Sequence, residues 1–500
     1  DKGFYTFAEI YERTKNGETF LVPSFNEKSY QVEWKPVERV MRRKAPVIEI
    51  SISQRGDVTL NRLKVTQDHK FYTLSGTKII KKKIIEIEKE KETLFLLDKL
   101  SAPHYQLVDP QLAYLVGAII TDGYIYTGPG KGRYPYRGRK ILFIQKKEAQ
   151  KLPFIEYVQD CFQNVFHVPL REYRERESKG YIRGKLVQGV ATNFVCTQAP
   201  PVSTLALIKE NLTQWVLGLS EEATFNFLAG VIDGDGTWHP SHKVIEIFNG
   251  CEKITGAIIT ACLKLGILPY VSKQRKNCYI IQISERLSEI GKYTKRVKVT
   301  PHLRKYGTKF FAVRQLFKEV PDIKWPFSAK ARRNNLMSKE KLYKFLFEEK
   351  SEIERRFKID RERYKKVLGE IKKLIDSPLR MQRVKKIKHL SPQIVFNITV
   401  KDNHNYFVFS NLFTPILVAN CHGSGRTMSR HQAIKTISGQ KIVNLLNSKG
   451  IIVKCRSFKG IAEEAPQAYK NISDVVEVVS KAGLSKKVAK LVPLAVIKGE

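Results

Sequence analysis

Two aspartates, Asp122 and Asp235, each end an apolar helical segment and are each followed by glycine. Gly117 and Gly230 lie within these segments, and glycine allows two helix backbones to approach closely. The two carboxylates would then meet at one point and repel each other unless a hard divalent cation lies between them. Mg²⁺ and Mn²⁺ prefer such oxygen ligands and support the hydrolysis of a phosphodiester. The pair therefore predicts a metal-dependent nuclease site.

The two segments form an approximate internal repeat, because residues 227–236 have the same helix and Asp-Gly ending as residues 115–123. Asp-Gly after an apolar helix is also an ordinary turn, so one copy alone would carry little weight. Each copy is followed by strand-like segments rich in lysine and arginine, which suit contact with a DNA backbone. Two copies in this context favour a nuclease over a pair of unrelated turns.

With this repeat the sequence resembles the LAGLIDADG homing endonucleases over roughly residues 105–300. The resemblance implies that Asp122 and Asp235 are catalytic and bind the metal, although the first motif departs from the family pattern by reading Ile-Thr-Asp-Gly. It also implies basic residues near the cleft that binds double-stranded DNA, and Lys146 and Lys273 are the predicted candidates. Simple phosphate contact is an equally good role for these two lysines.

A second reactive pair is Asn420-Cys421, at the end of a β-rich segment. An asparagine side chain can attack its own carbonyl, form a succinimide and cut the chain after itself, while a neighbouring thiol takes up an acyl group. Far upstream, Thr66 offers a donor that can polarise a peptide, and His69 offers an imidazole that can protonate a leaving amine. His404 lies in a polar and aromatic block ahead of Asn420. These residue types predict self-cleavage of the peptide chain.

The segments that carry them resemble the two halves of the Hint protein-splicing domain of inteins, interrupted by the endonuclease. The penultimate residue, usually histidine in this family, is Ala419, so we expect His404 or water to assist Asn420. Asn397 stands where many relatives carry aspartate. The resemblance implies that the first splicing nucleophile, a cysteine or serine, precedes Asp1 in an upstream part of the host protein. We therefore expect cleavage at the carboxyl-terminal junction but not complete splicing.

A nucleotide-binding pattern opens residues 421–500, where Gly423 and Gly425 follow His422 and precede Arg426. Such glycines let backbone donors approach phosphate oxygens, and an imidazole can act as a nucleophile. The string resembles the His-Gly-x-Gly-Arg signature of the RtcB-type RNA ligases. The resemblance implies that His422 is guanylylated, Arg426 contacts phosphate, Tyr469 stacks on the base and Lys498 reads the guanine. It also implies GTP and Mn²⁺ as cofactors and RNA as substrate of the spliced ligase, with manganese ligands located outside this chain.

The charge balance independently indicates a polyanionic partner, because 88 Lys and Arg oppose 49 Asp and Glu for a net charge of +39. A thermophilic surface would add both signs together and leave little net charge. The seven cysteines form no CxxC pair or Cys/His cluster, so they indicate neither a structural zinc site nor a disulfide framework. A reducing cytoplasm fits this usage best, and no apolar stretch predicts a membrane segment.

We expect a multidomain protein in which an all-β Hint domain is interrupted by an α+β endonuclease of αββαββα repeats and followed by an α/β ligase segment. The predicted parts are Hint residues 1–100 and 389–420, endonuclease residues 105–300 with halves at about 105–215 and 220–300, a basic helical arm or linker at 301–388, and host ligase residues 421–500.

Three alternatives remain open on the sequence. The chain could be a plain RNA ligase in which residues 1–420 are an insertion domain. It could be a degenerate intein that acts only as a metal-dependent DNA endonuclease, which the alanine at position 419 favours. Hedgehog-like autoprocessing uses a related fold but lacks the Asn-Cys ending. The adjacency of Cys421 and His422 further predicts that the host ligase is inactive until the intein is excised.

Overall fold

The computed structural model describes residues 1–500 except 53–60, 129–137, 183–184, 276–277, 301–309, 317, 319–335, 349–360, 421–433, 435, 456, 464, 469–472, 474–475, 477–493 and 499–500. The chain divides into two compact units, residues 1–420 and residues 421–500. Several antiparallel sheets and many helices form these units, as predicted for a mixed α/β multidomain protein. Within the described residues, every helix is too short or too polar to span a bilayer.

The amino-terminal part of the first unit contains mostly strands. Its elements are α1 (Phe7–Lys15), β1 (Leu21–Asn26), β2 (Gln31–Ile52), β3 (Asn61–Thr66), β4 (Lys70–Ser75), β5 (Lys78–Lys83), α2 (Ile84–Lys89) and β6 (Thr93–Leu97). Both α2 and α1 depart from the all-β structure predicted for residues 1–100. Helix α1 lies near the amino end of this segment. It forms because Thr6 and Glu9 cap its first turn reciprocally and Ile10 is buried.

The middle part contains two similar halves. The first half consists of α3 (Pro110–Asp122), β7 (Gly123–Tyr126), β8 (Lys140–Gln145), α4 (Leu152–Phe166), β9 (Arg171–Ile182), β10 (Lys185–Cys196), α5 (Ala199–Glu210) and α6 (Leu212–Gly218). The second consists of α7 (Glu221–Asp235), β11 (Gly236–His239), β12 (Val244–Asn249), α8 (Glu252–Lys264), β13 (Tyr270–Arg275), β14 (Cys278–Ile283) and α9 (Leu287–Ile290). Their sheets have matching orders, β7-β8-β10-β9 and β11-β12-β14-β13, which makes the halves pseudo-symmetric.

The last part of the first unit returns to the sheet that contains β1 to β6. Its described elements are β15 (Phe310–Ala312), α10 (Val313–Leu316), β16 (Leu336–Ser338), α11 (Lys339–Tyr343), the π-helical turn Lys344–Glu348, α12 (Arg361–Asp376), β17 (Leu379–Val400), β18 (Asn405–Phe409) and β19 (Pro415–Ala419). Strand β17 begins at Leu379, ten residues before the boundary predicted at residue 389, so the predicted helical arm does not extend to residue 388 as a helix. Cross-strand pairing with β6 extends this strand, since Leu379 lies opposite Leu97.

One nine-stranded sheet joins the two sequence-distant β segments. Its order is β1-β2-β17-β6-β19-β4-β5, with β18 paired to β19 and β3 paired to β2. The two 22-residue strands β2 and β17 run antiparallel along much of their length. Two clusters of buried apolar residues pack on this sheet. One is confined to the sheet and its neighbouring helix, and the other continues from the sheet into the two middle halves.

Helices α3 and α7 pack with their backbones almost in contact. A Cβ added at Gly117 would lie 2.3 Å from the carbonyl oxygen of Phe227, and one added at Gly230 would lie 2.1 Å from that of Tyr114. Both helices are buried along most of their length. Glycine is therefore required at both crossing positions, as the sequence predicted from the two glycines.

Replacement of Gly230 by alanine is expected to lower the free energy of unfolding by about 3 kcal/mol, because the new methyl group must push two backbones apart. Gly369, exposed on α12 with nothing within 4 Å of its added Cβ, provides the matched control. Gly369→Ala should raise stability by about 0.5–1 kcal/mol, the usual gain at an open helix position. Urea denaturation followed by circular dichroism measures both changes, and equal effects at the two positions would contradict the close packing.

A buried ion-pair network connects the nine-stranded sheet to the second middle half. The Arg380 guanidinium, at the start of β17, donates to Asp98 after β6 through Nε at 2.9 Å and to Glu285 after β14 through Nη1 at 3.0 Å. Lys339 lies 3.4 Å from the same Asp98 carboxylate and donates to the Ser377 carbonyl at 2.6 Å. The two carboxylates raise the pKa of Arg380 above its ordinary value despite its burial.

The second unit has a small core of its own. Its described elements are α13 (Gly439–Asn447), β20 (Ile452–Cys455), α14 (Phe458–Glu463), the 3-10 turn Pro466–Ala468 and β21 (Ala495–Lys498). Strands β20 and β21 are parallel, with Cys455 opposite Lys498. Buried Ile442, Ile461 and Ala465 pack together beneath them.

Candidate functional site

The two predicted aspartates meet where α3 and α7 end. Asp122 is the last residue of α3 and Asp235 the last residue of α7. Burial, followed by the negative charge of Asp235, raises the pKa of Asp122 to about 6. Burial also raises the pKa of Asp235. A Cβ added at Gly234, next to Asp235, would lie 3.3 Å from Oδ2 of Asp122, so the helix crossing places the two helix ends side by side.

An amide side chain supports each carboxylate from the same place in each half. Gln145, at the end of β8, donates through Nε2 to Oδ2 of Asp122 at 2.5 Å. Asn249, at the end of β12, donates through Nδ2 to Oδ2 of Asp235 at 3.2 Å. Neither residue was predicted from the sequence. The shared signal is an amide that closes the second strand after each Asp-Gly.

Two cations face the pair, and they are not the predicted ones. Lys151 donates through Nζ to Oε1 of Gln145 at 3.1 Å and lies close enough to Asp122 for their charges to interact. Burial lowers the pKa of Lys151, and Asp122 opposes that effect. The Arg296 guanidinium donates through Nη2 to the carbonyl oxygen of Gly234 at 3.0 Å, at the end of α7. Its positive charge interacts with both aspartates.

A third aspartate, Asp233, positions Arg296 and takes no direct place at the pair. Its carboxylate accepts from the Tyr114 hydroxyl at 2.6 Å and from the backbone N–H groups of Lys295, Arg296 and Val297. These contacts hold the segment that carries the arginine against α7. Burial raises the pKa of Asp233, and the hydrogen bonds oppose that rise.

The two predicted cleft lysines lie elsewhere in the sheets. Lys146 follows β8 and forms a 4.0 Å ion pair with Glu148. Lys273 lies on β13, where its Nζ is 4.6 Å from the centroid of the Tyr279 ring. Neither contacts Asp122 or Asp235 in the described hydrogen bonds and ion pairs. Their proposed contact with DNA stays a prediction.

The raised pKa of Asp122 predicts a pH-dependent stability. Because the folded-state pKa is about 6 against an ordinary 3.8, the folded protein binds the proton more tightly. The free energy of unfolding that Asp122 contributes is therefore lost as the pH rises from about 4 to about 6. Above that range the buried, ionised carboxylate continues to destabilise the fold. Asp122→Asn should be more stable than the wild type at pH 7.5 by on the order of 2 kcal/mol. The difference should shrink towards pH 4.

Thermal unfolding at several pH values checks this expectation, with exposed Asp160 providing the control variant Asp160→Asn. A Mg²⁺ titration adds a second measurement, because the cation should raise the unfolding midpoint of the wild type more than that of Asp122→Asn. The assignment would be contradicted if the stability advantage of Asp122→Asn over the wild type were smaller at pH 7.5 than at pH 4.

The predicted splicing residues gather at one end of the nine-stranded sheet. Val418 of β19 lies opposite Phe71 of β4, which brings the turn that ends at His69 to the end of β19 that precedes Asn420. On the other side of β19, the Asn420 N–H donates to the carbonyl oxygen of His404 at 2.9 Å. The fold therefore brings the segments that carry His69 and His404 to the end of β19, although they are far apart in sequence.

Asn420 is buried, and its side-chain amide makes only part of the hydrogen bonds that it could form. Its Nδ2 donates a long bond of 3.4 Å to the Val400 carbonyl, and its Oδ1 has no hydrogen-bond partner among the described residues. Ala419, in the penultimate place, is buried and offers no side-chain donor. An amide held this loosely is free to turn towards its own carbonyl carbon.

The Thr66 to His69 turn links β3 to β4. The His69 N–H donates to the Thr66 carbonyl at 3.1 Å, and the Thr66 hydroxyl donates to Asp68. The His69 ring packs edge-on against Phe71 with centroids 5.4 Å apart. Burial lowers the pKa of His69 to about 4, so the ring is neutral at pH 7. It must therefore take up a proton before it can protonate a leaving amine.

The predicted nucleotide-binding residues fall mostly outside the described residues. Cys421, His422, Arg426 and Tyr469 belong to ranges that the structure does not describe. Lys498 is placed only through its backbone, in β21. Their roles stay predictions.

Residues 1–414 match the family model for the intein splicing domain, and the chain belongs to that family. Residues 405–499 match the family model for the tRNA-splicing ligase RtcB. The protein is thus an intein that continues into an RtcB ligase segment, and the resemblances to these two families are confirmed.

Curated relatives divide in the same way. The probable phosphoenolpyruvate synthase of Methanocaldococcus jannaschii is 27% identical over 484 residues, covering 93% of this chain and 37% of that protein. The RNA-splicing ligase RtcB of Mycobacterium bovis is 48% identical over 85 residues, which are 17% of this chain and 20% of that ligase. The tRNA-splicing ligase RtcB of Pyrococcus horikoshii is 47% identical over 81 residues, covering 16% of this chain and 9% of that ligase. The chain therefore spans well under half the length of each.

Two solved homing endonucleases are similar to part of the chain. I-DmoI in complex with DNA and Mn is 18% identical with a TM-score of 0.28, covering 39% of this chain and 98% of that one. I-WcaI bound to its DNA recognition sequence is 16% identical with a TM-score of 0.28, covering 44% of this chain and 93% of that one. At these scores the likenesses carry no argument about activity.

Proposed function

We propose that the chain is part of the precursor of an RtcB-type RNA ligase, interrupted by an intein that carries a site-specific LAGLIDADG endonuclease. The observation that carries the nuclease assignment is the meeting of Asp122 and Asp235 at the ends of two close-packed helices. The observation that carries the splicing assignment is the meeting of Asn420 with the segments that carry His69 and His404 at the end of β19. We assign the Hint domain to residues 1–100 and 389–420 together with the start of β17.

The aspartate pair fits a hard divalent cation. Both carboxylates have raised pKa values, and their described partners are the amides Gln145 and Asn249, which leave carboxylate oxygens available. When bound, Mg²⁺ or Mn²⁺ would activate water and stabilise negative charge on phosphate oxygens. These residues leave the metal with oxygen ligands only, which is the preference of these ions.

The chain's own residues perform the remaining work around the phosphodiester. Gln145 and Asn249 orient the two carboxylates, and Arg296 adds positive charge where a phosphate would gain negative charge. Lys151 is held beside Gln145 with a lowered pKa, which suits it to exchange a proton with water or the leaving oxygen. The basic strands and the net charge of +39 supply the attraction for double-stranded DNA.

At the splice junction, Nδ2 of Asn420 attacks the carbonyl carbon of Asn420 itself. The bond from that carbon to the nitrogen of Cys421 breaks, which leaves a succinimide on the intein and a free amine on Cys421. His404 and His69 are the groups available to take the amide proton and to give one to the leaving nitrogen. For the joined ligase we propose His422 as the guanylylated residue, with GTP and Mn²⁺ as cofactors and RNA as substrate.

Two measurements on the purified chain test these assignments separately. Incubation with Mg²⁺ and a plasmid that carries the uninterrupted ligase gene should linearise the plasmid, and a plasmid without that gene should stay circular. Mass spectrometry should show release of a fragment that starts at Cys421. Linearisation without fragment release would favour the alternative of an intein that retains only its nuclease, which the buried Ala419 makes the leading competitor.

Fragment release is also expected to precede any RNA joining by the completed host ligase, and ligase activity of an unspliced full precursor would contradict that order.

A further inference from the structure

We propose that the turn between β11 and β12 binds a divalent transition metal of the zinc class through His239, His242 and Glu246. One ligand atom from each of these side chains lies within 4.8 Å of the others. The cluster lies outside the aspartate pair and the splice junction. It uses no cysteine, so the cysteine pattern that indicated no structural zinc site did not reveal it.

The hairpin geometry brings the three side chains together. His239 and Val244 form the last pair of the β11–β12 ladder. The Lys243 N–H donates to the His239 carbonyl at 2.7 Å and closes the turn, with Lys243 in a left-handed conformation at φ 56°. The turn folds His242 back over His239, and the two rings stack with centroids 4.8 Å apart and planes at 13°. Because an imidazole binds a metal in its ring plane, the exposed His242 ring must turn out of this stack to share an ion with His239.

Glu246 completes the cluster from the neighbouring strand. It lies opposite Thr237, which is two residues from His239 on β11, so Glu246 and His239 share one face of the sheet. The other face carries the buried residues Ile245 and Ile247. The carboxylate is thus held on the solvent side of the sheet beside the imidazoles.

Supporting hydrogen bonds orient two of the three ligands. Gln282 on β14 donates through Nε2 to Oε1 of Glu246 at 2.7 Å, which leaves the second carboxylate oxygen for a metal. The Ser241 hydroxyl lies 3.3 Å from Nδ1 of His239, which leaves Nε2 as the available nitrogen. Such outer contacts are usual around metal sites, because they fix the tautomer and orientation of each ligand.

The donor set determines the class of ion. Two imidazole nitrogens and one carboxylate oxygen match the three-ligand zinc sites that keep a position for water, and imidazole favours zinc, cobalt, nickel and copper over magnesium. The aspartate pair offers only oxygen ligands and therefore favours Mg²⁺ or Mn²⁺. The two sites should therefore load with different metals, and the histidine site should fix the hairpin turn.

Cobalt(II) titration of the full-length chain tests the proposal, because Co²⁺ replaces Zn²⁺ and gives visible absorption when bound by nitrogen and oxygen ligands at low coordination number. All proteins should carry Cys251→Ser, which removes an exposed thiol that could bind metal. Millimolar Mg²⁺ should be present throughout to fill the oxygen site. We expect a visible band that Zn²⁺ abolishes and Mg²⁺ does not.

Three variants make the test specific. His242→Ala should weaken Co²⁺ affinity by more than about 100-fold, and Glu246→Gln, which keeps the shape and the Gln282 contact, by at least about tenfold. His389→Ala, at an exposed histidine of the nine-stranded sheet, should bind as the parent does. Circular dichroism confirms that each variant is folded. The absence of a visible band in the parent, or wild-type affinity in both His242→Ala and Glu246→Gln, would overturn the proposal, whatever the outcome of the DNA and peptide cleavage assays.

Discussion

Asp235→Asn is expected to reduce the rate of DNA cleavage by at least about 100-fold while leaving DNA binding close to that of the wild type. The substitution removes one of two carboxylates that hold the metal, and losses of even outer contacts at metal sites cost about 10–100-fold. Binding should survive because it depends on many distributed lysines and arginines and on the net charge of +39. Supercoiled-plasmid cleavage and a gel-shift assay measure the two quantities.

The matched control for this variant is Asp160→Asn, which makes the same chemical change at an exposed position of α4. It should cleave as the wild type does. Asp233→Asn gives a further comparison, because this carboxylate holds Arg296 through the backbone of residues 295–297 and should affect folding as well as cleavage. Normal cleavage by Asp235→Asn would show that the aspartate pair is not the nuclease site. Peptide cleavage at Asn420 should be unchanged in Asp235→Asn and Asp160→Asn, since the two chemistries use separate residues.

Asn420→Ala is expected to abolish release of the fragment that begins at Cys421. Alanine has no side-chain nitrogen to attack the carbonyl carbon, so the succinimide cannot form. The fold should tolerate the change well, because Nδ2 makes only a 3.4 Å bond and Oδ1 lacks a described partner. Time-resolved mass spectrometry of the intact chain measures the loss.

Asn397→Ala serves as its control, since Asn397 is another asparagine of the same sheet and accepts a 3.2 Å hydrogen bond from the Tyr406 hydroxyl. It should retain fragment release at a reduced or unchanged rate. Release that persists in Asn420→Ala would show that the chain is cut by another route, such as a contaminating protease. Ala419→His should increase the rate of fragment release, because it restores the penultimate imidazole usual in the family.

Local patterns in the sequence predicted the parts of the sites that depend on neighbours along the chain. The helical spacing before Asp122 and Asp235 identified α3 and α7, and Gly117 and Gly230 indicated their close crossing. Helix α1 was not predicted, because one capping interaction between Thr6 and Glu9 outweighs the β-forming residues around it.

Contacts between distant segments could not be predicted. Arg296 reaches the end of α7 from 60 residues further along, and Lys151 approaches Asp122 through Gln145. No pattern along the chain distinguishes these cations from the many lysines and arginines that surround them. The histidine cluster escaped for a similar reason, since only the folded hairpin places Glu246 beside His239 and His242.

The buried Arg380 has a consequence for any attempt to shorten this intein. Its guanidinium is shared between Asp98, which follows β6 of the nine-stranded sheet, and Glu285, which follows β14 of the second middle half. A deletion of residues 105–300 would discard Glu285 and leave Asp98 as the remaining described carboxylate partner of Arg380. Because the loss of one member of a buried ion network is destabilising, a shortened intein should also need a replacement at Arg380.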